Sequence, residues 1–130
     1  MSPEPFQYAV IRVVPRVERE EFINSGVIVF CRTRGYLAAR AELDPSRLRA
    51  LDPTADSEAI EAQLAAIMRI AAGDPGAGPI AALPQSERFH WLVAPASTII
   101  QTSQIHSGIC DDPGQTLDHL FVQLATGRTG

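Results

Sequence analysis

The chain contains no lysine; all 11 of its basic residues are arginine. That absence excludes a Walker-type phosphate loop, whose lysine meets the phosphates, and Schiff-base chemistry by a lysine of this chain. Cysteine is scarce as well: Cys31 and Cys110 are the two present, and no Cys-x-x-Cys or His-Glu-x-x-His pair exists. No standard zinc pattern can be assembled, so neither a metal nor a cofactor is expected. Aromatic residues are few (five Phe, two Tyr, one Trp) and net charge is −4. Both disfavour a nucleic-acid binder, which needs cationic grooves and stacking platforms. No apolar run approaches the roughly 20 residues that a membrane span requires. The segment Met1-Ser2-Pro3-Glu4-Pro5 lacks the basic and apolar parts of a signal peptide. The expected setting is therefore cytoplasmic and off the membrane, with both cysteines as free thiols. The abundance of arginine, alanine and proline reads as codon bias, and the chain as bacterial.

What is present suits one domain over 1–130. Hydrophobic residues make up 45% and charged residues 20%, ordinary values for a chain with a single core. Phe6 to Val14 is rich in β-branched residues and apolar on both faces, which predicts a strand inside a sheet. Pro15 stops it. After a charged connection, Gly26 to Cys31 predicts a second buried strand. Thr33-Arg34-Gly35 predicts a turn, and Tyr36 to Leu43 a returning antiparallel partner. Asp44-Pro45 marks a helix start, an acceptor at the cap followed by proline at the first position. A longer helix is expected from Asp56 to Ala72, with Ile60, Leu64, Ile67 and Ala71 on one stripe and Gly73 at the left-handed C-terminal position. Residues 73–79 predict a loop. Residues 86–93 fit either a helix capped by Ser86 or a strand. Ser97 to Gln101 predicts a fourth strand. Asp112-Pro113 starts a last helix, with Leu117, Leu120, Phe121 and Leu124 on one face and Gly127 at its end. Strands cluster early and helices late, the pattern of an α+β fold. The expectation is a three- to four-stranded, mostly antiparallel sheet with helices packed on one face.

Chemistry-bearing residues are each weighed against a structural reading. His106, Cys110, Asp111, Asp112 and His119 are metal-ligand types without metal-ligand spacing. The simpler account is that Asp112 caps the last helix and Asp111 favours its positive end. A reactive Cys110 is disfavoured by the two adjacent carboxylates. No Gly-x-Ser-x-Gly elbow supports a hydrolase. Arg12 shares a strand face with Tyr8, Val10 and Val14, so it must be paired or near an edge. Asn24 and Gly26 flank the entry to the second strand, where glycine permits a bulge or a close backbone approach. Arg16 and Arg19 in the charged connection and Arg32 and Arg34 near the turn are the candidate binding residues. Their planar forks suit a phosphate or carboxylate. The competing account is surface pairing with nearby glutamates.

The runs Tyr8-Ala9-Val10-Ile11-Arg12-Val13-Val14-Pro15 and Glu21-Phe22-Ile23-Asn24-Ser25-Gly26-Val27-Ile28-Val29-Phe30 carry a family resemblance. Arg88-Phe89-His90-Trp91-Leu92, Ser97-Thr98-Ile99-Ile100-Gln101-Thr102 and His106-Ser107-Gly108 share in it. Through them the chain resembles the family called domain of unknown function 3037 over nearly its whole length. The resemblance brings no catalytic residue and implies a kinase-like partner. The expected function is an accessory or protein-interaction domain, leaning away from an enzyme. The alternative is a small enzyme or binding domain for a phosphorylated or anionic ligand held by arginines.

Overall fold

Strand β1 (Glu4–Val13) runs through the middle of an antiparallel sheet, where its two-faced apolar sequence is buried. The structure, a computed structural model, describes residues 2–96 and 98–126. One side of β1 pairs with β2 (Ile23–Cys31), which pairs in turn with β3 (Tyr36–Ala41). The other side is shared by two short strands. β4 (Ile100–Thr102) meets the C-terminal end of β1, and β5 (His106–Cys110) meets its N-terminal end. Between them Ser103 bridges the break: its N–H donates to the Val10 carbonyl at 2.9 Å, and its hydroxyl accepts the Val10 N–H at 2.9 Å. A side chain thus stands in for a ladder partner where the register slips. β2 slips too, between the positions facing Ile11 and Arg12.

Four α-helices are seen among the described residues: α1 (Pro45–Leu51), α2 (Ser57–Ala72), α3 (Gln85–Leu92) and α4 (Pro113–Phe121). Asp44, Asp56 and Asp112 cap α1, α2 and α4 by accepting backbone N–H groups, as the aspartate spacing predicts. Gly73 ends α2 at φ 75°. The ambiguous stretch 86–93 is helical, with Phe89 buried and its ring centroid 5.0 Å from that of Phe30. It carries no side-chain cap; the hydroxyl of Ser86 instead accepts from Arg32. The expected loop at 73–79 contains a short 3-10 turn, Pro75–Ala77. The expected starting point of the fourth strand, Ser97, and the expected helix end at Gly127 lie outside the described residues.

The architecture is the expected α+β, an antiparallel sheet with packed helices; strand number and helix placement differ from the expectation. The sheet has five strands rather than three or four, because His106–Cys110, where the sequence predicts no strand, pairs with Glu4–Tyr8. Its glycine is there for packing: a Cβ on Gly108 would sit 2.7 Å from the Phe6 ring. The helices also cover both faces rather than one. Ile28 and Phe30 join Ile60, Leu64 and Phe89 in one core, whereas Val27, Val29 and Cys31 join Leu117 in a second core on the opposite face. A strand buried on both faces needs a layer on each side, and α4 supplies the second. Gly26 allows β2 and β3 to approach closely, since a Cβ there would lie 2.5 Å from the Arg40 carbonyl oxygen.

Candidate binding site at the end of strand β1

The four arginines singled out as binding residues do not converge. Arg16 and Arg19 follow the C-terminal end of β1, beside the start of β2, whereas Arg32 and Arg34 follow the end of β2. At ~3.3 Å per residue, the two pairs are separated by roughly 26 Å of strand. Each has a local partner. Arg16 lies 3.5 Å from the carboxylate of the buried Asp52, and Arg19 lies 2.6 Å from Glu21. Arg32 donates to Ser86 Oγ at 3.1 Å. Arg34 donates to the backbone carbonyls of Asp111 and Ser2, which ties the hairpin to the N-terminal segment and to the start of α4. Asp52 is held below the usual carboxylate range, first by the Thr54 hydroxyl and amide and then by Arg16.

The site that does form is built around Arg12. Across the sheet, Arg12 has Asn24 of β2 as one partner and Gln101 of β4 as the other. In an antiparallel sheet such partners share a face. The row therefore places a guanidinium, two carboxamides and, two residues before Asn24, the ring of Phe22 together. The Arg12 guanidinium carbon lies 4.3 Å from the Phe22 ring centroid, a stacked cation–π contact. Arg12 Nε and Asn24 Oδ1 are both buried and have no hydrogen-bond partner among the described residues. No ion pair to Arg12 is formed among them either. In front of Arg12 is a cavity of about 290 Å³ lined by Val14, Val17, Glu20, Phe22 and Gln101. Glu20 reaches it from a left-handed backbone, φ 57°, which a non-glycine residue adopts only under local constraint.

The second notable feature is the edge formed by β4 and β5. Both pair with β1 and with no other strand among the described residues. Exposed large apolar side chains are spaced along it. Ile109 is 70% exposed on β5, and Ile99 and Ile105 lie just before β4 and in the break. Trp91, 50% exposed, stands beside a groove of about 320 Å³ that also includes Ile67, Leu92, Pro95 and Ile100. No charged side chain lines this groove.

The His and Cys residues make a weaker constellation than their sequence proximity suggests. His106 stacks on Tyr8, with centroids 5.1 Å apart. Cys110, four residues on, lies roughly 13 Å along the strand at the standard rise. The Cys110 thiol is pushed up by burial, and then by the neighbouring Cys31. Both cysteines are free and buried. Asp112 is committed to its cap, accepting from Gly114 at 2.9 Å and Gln115 at 3.3 Å. Among the described residues no three side chains of metal-ligand type gather. No helix among them is long and apolar enough to cross a membrane.

Arg12 and Asn24 stand out singly in the sequence, where nothing joins them or marks Gln101. Their pairing depends on register, which a bulge at this point shifts by one residue. The signal available was a charged residue in an otherwise apolar strand. The profile of the family described as protein of unknown function (DUF3037) matches residues 8–125, and the chain belongs to that family. No curated protein and no solved structure matches the chain.

Proposed function

We propose that this member of the DUF3037 family is a non-catalytic interaction domain that takes an extended segment of a partner protein against the β4–β5 edge. The observation that carries this reading is the coincidence of an edge unpaired by any other described strand with the exposed Ile99, Ile105, Ile109 and Trp91. An edge strand presents backbone donors and acceptors to a partner strand, and neighbouring pockets select its side chains. Natural proteins blunt such edges with charges, and here β4, β5 and the break between them carry no Lys, Arg, Asp or Glu. The groove beside Trp91 has no charged lining, which suits an apolar side chain of the incoming segment. The break at Ser103 divides the edge into two stretches, so a segment that meets both Ile109 and the groove beside Trp91 must span the break. The kinase-like partner implied by the family resemblance and a cytoplasmic setting belong to this proposal. The two buried free thiols fit a reducing compartment.

Site-specific photo-cross-linking tests it. A photoreactive residue at position 109 or 91 should trap one partner protein, and the same residue at Glu58 on α2 should not. Ile109→Lys should abolish the adduct formed from position 91 without lowering the melting temperature. Adducts that are equally abundant from all three positions, or that survive Ile109→Lys, reject edge docking. An adduct to a second copy of this chain assigns the edge to self-association instead.

A further inference from the structure

We infer that the corner made by Arg12, Glu20, Phe22, Asn24 and Gln101 binds an α-amino carboxylate, as a free amino acid or as the carboxyl-terminal residue of a peptide. The inference does not rest on edge docking; it follows from which polar groups the fold leaves unanswered. Buried polar groups in folded proteins are almost always hydrogen-bonded, so two orphans on facing residues call for a complementary group. The orphans are of opposite kind. Arg12 Nε is a donor and Asn24 Oδ1 is an acceptor. A simple anion would answer the first and leave the second.

Charge narrows the class further. Glu20 lines the same cavity as Arg12, and no ion pair within 4.0 Å joins them. One guanidinium beside one carboxylate disfavours a dianion such as phosphate. It favours a group with one negative end and an adjacent N–H donor. Arg12 supplies the planar fork that a carboxylate matches. Glu20, which lines the cavity with Arg12, offers an acceptor to the ammonium or amide next to it, and Asn24 Oδ1 lies on the residue opposite Arg12 in the sheet. Gln101 donates its own amide N–H to the Thr98 carbonyl at 2.9 Å, so its oxygen remains as a further acceptor. Val14, Val17 and Phe22 give the cavity an apolar wall, and about 290 Å³ is room for one aliphatic residue. Phe22 also holds the guanidinium in place through the 4.3 Å stack, so little ordering is left for the ligand to impose.

Four probes with the same isobutyl side chain separate the elements of the claim: leucine, N-acetyl-leucine, leucinamide and 4-methylpentanoate. The readout is the Arg12 Nε–H resonance in titrations followed by NMR at constant ionic strength. Leucine or N-acetyl-leucine should shift this resonance saturably, whereas leucinamide and 4-methylpentanoate should bind at least about tenfold more weakly, the scale of one lost hydrogen bond to a charged group. Response to leucine alone assigns the free amino acid; response to N-acetyl-leucine assigns a peptide end. Arg12→Gln should weaken the productive probe about tenfold or more, read on the Gln101 side-chain amide with spectral dispersion retained. Asn24→Asp puts a carboxylate opposite Arg12 and should remove the response while keeping the fold. The inference is overturned if no probe binds, if leucinamide or 4-methylpentanoate binds as well as leucine, or if the Asn24→Asp protein still responds.

Discussion

Arg12, within β1, and the two arginines of the β2–β3 turn are treated in opposite ways. At the end where β2 turns into β3, Arg32 and Arg34 are spent on fixed partners: Ser86 Oγ and the carbonyls of Ser2 and Asp111. At the other end Arg12 lies within a strand, is stacked on Phe22, and has a buried Nε with no acceptor among the described residues. The same side chain thus serves as a clamp in one place and remains unanswered in the other. A guanidinium that closes backbone contacts contributes to holding the chain. One that is desolvated without a partner costs stability, and so points to binding.

That contrast predicts opposite signs for the same substitution. Arg34→Leu should lower stability by about 1–2 kcal/mol, because hydrogen bonds from a charged group are lost at two carbonyls. Arg12→Leu keeps the volume, removes the orphaned donor and should leave stability unchanged or raise it, within about 1 kcal/mol. Chemical denaturation of both variants, with equal slopes, checks the pair. A loss at Arg12 as large as that at Arg34 would show that both ends are structural.

Asp52 offers a pH test of the middle ground, where Arg16 is tied to a buried carboxylate. Its folded pKa is depressed, by Thr54 first and Arg16 after. The contribution is therefore complete above the unfolded value, about 3.9, and is lost as pH falls through the lower folded value. Asp52→Asn should be less stable than the parent at pH 7, with the difference shrinking steadily below about pH 4. A pH-independent difference would mean that shape rather than charge matters at this position.

Local signals in the sequence were strong where one residue decides the geometry. The aspartate–proline caps at Asp44 and Asp112, the left-handed Gly73 and the central position of β1 all follow from short-range chemistry. β5 is not legible because Ser107 and Gly108 dilute its pattern, and its glycine answers to Phe6, about a hundred residues away in the chain. The two-sided arrangement was legible in principle. Val27, Ile28, Val29 and Phe30 are apolar at consecutive positions, which only a sheet covered on both faces accommodates. The Arg12 site was not legible, since it depends on a register slip that brings Asn24 rather than Ser25 opposite Arg12. Nor could the sequence show that Arg32 and Arg34 reach Ser86, Asp111 and Ser2, contacts made across the whole fold.

Arg19 marks the lower limit of the comparison. It sits in the exposed connection between β1 and β2, and its 2.6 Å pair with Glu21 is short, yet both side chains stay in solvent, 55% and 43% exposed. Geometry alone would rank this the strongest of the ion pairs. Exposure argues the reverse, because water and salt screen the attraction and two flexible side chains must be ordered to make it. Arg19→Ala should therefore change stability by no more than about 0.5 kcal/mol, and that small change should vanish in 1 M salt. Arg34→Leu should keep most of its deficit at the same salt concentration, since its partners are backbone carbonyls rather than a screened carboxylate. Parallel denaturation series at low and high salt separate the two. If Arg19→Ala costs as much as Arg34→Leu in 1 M salt, the connection is a packed part of the fold, and the division between clamping and unanswered arginines must be redrawn around it.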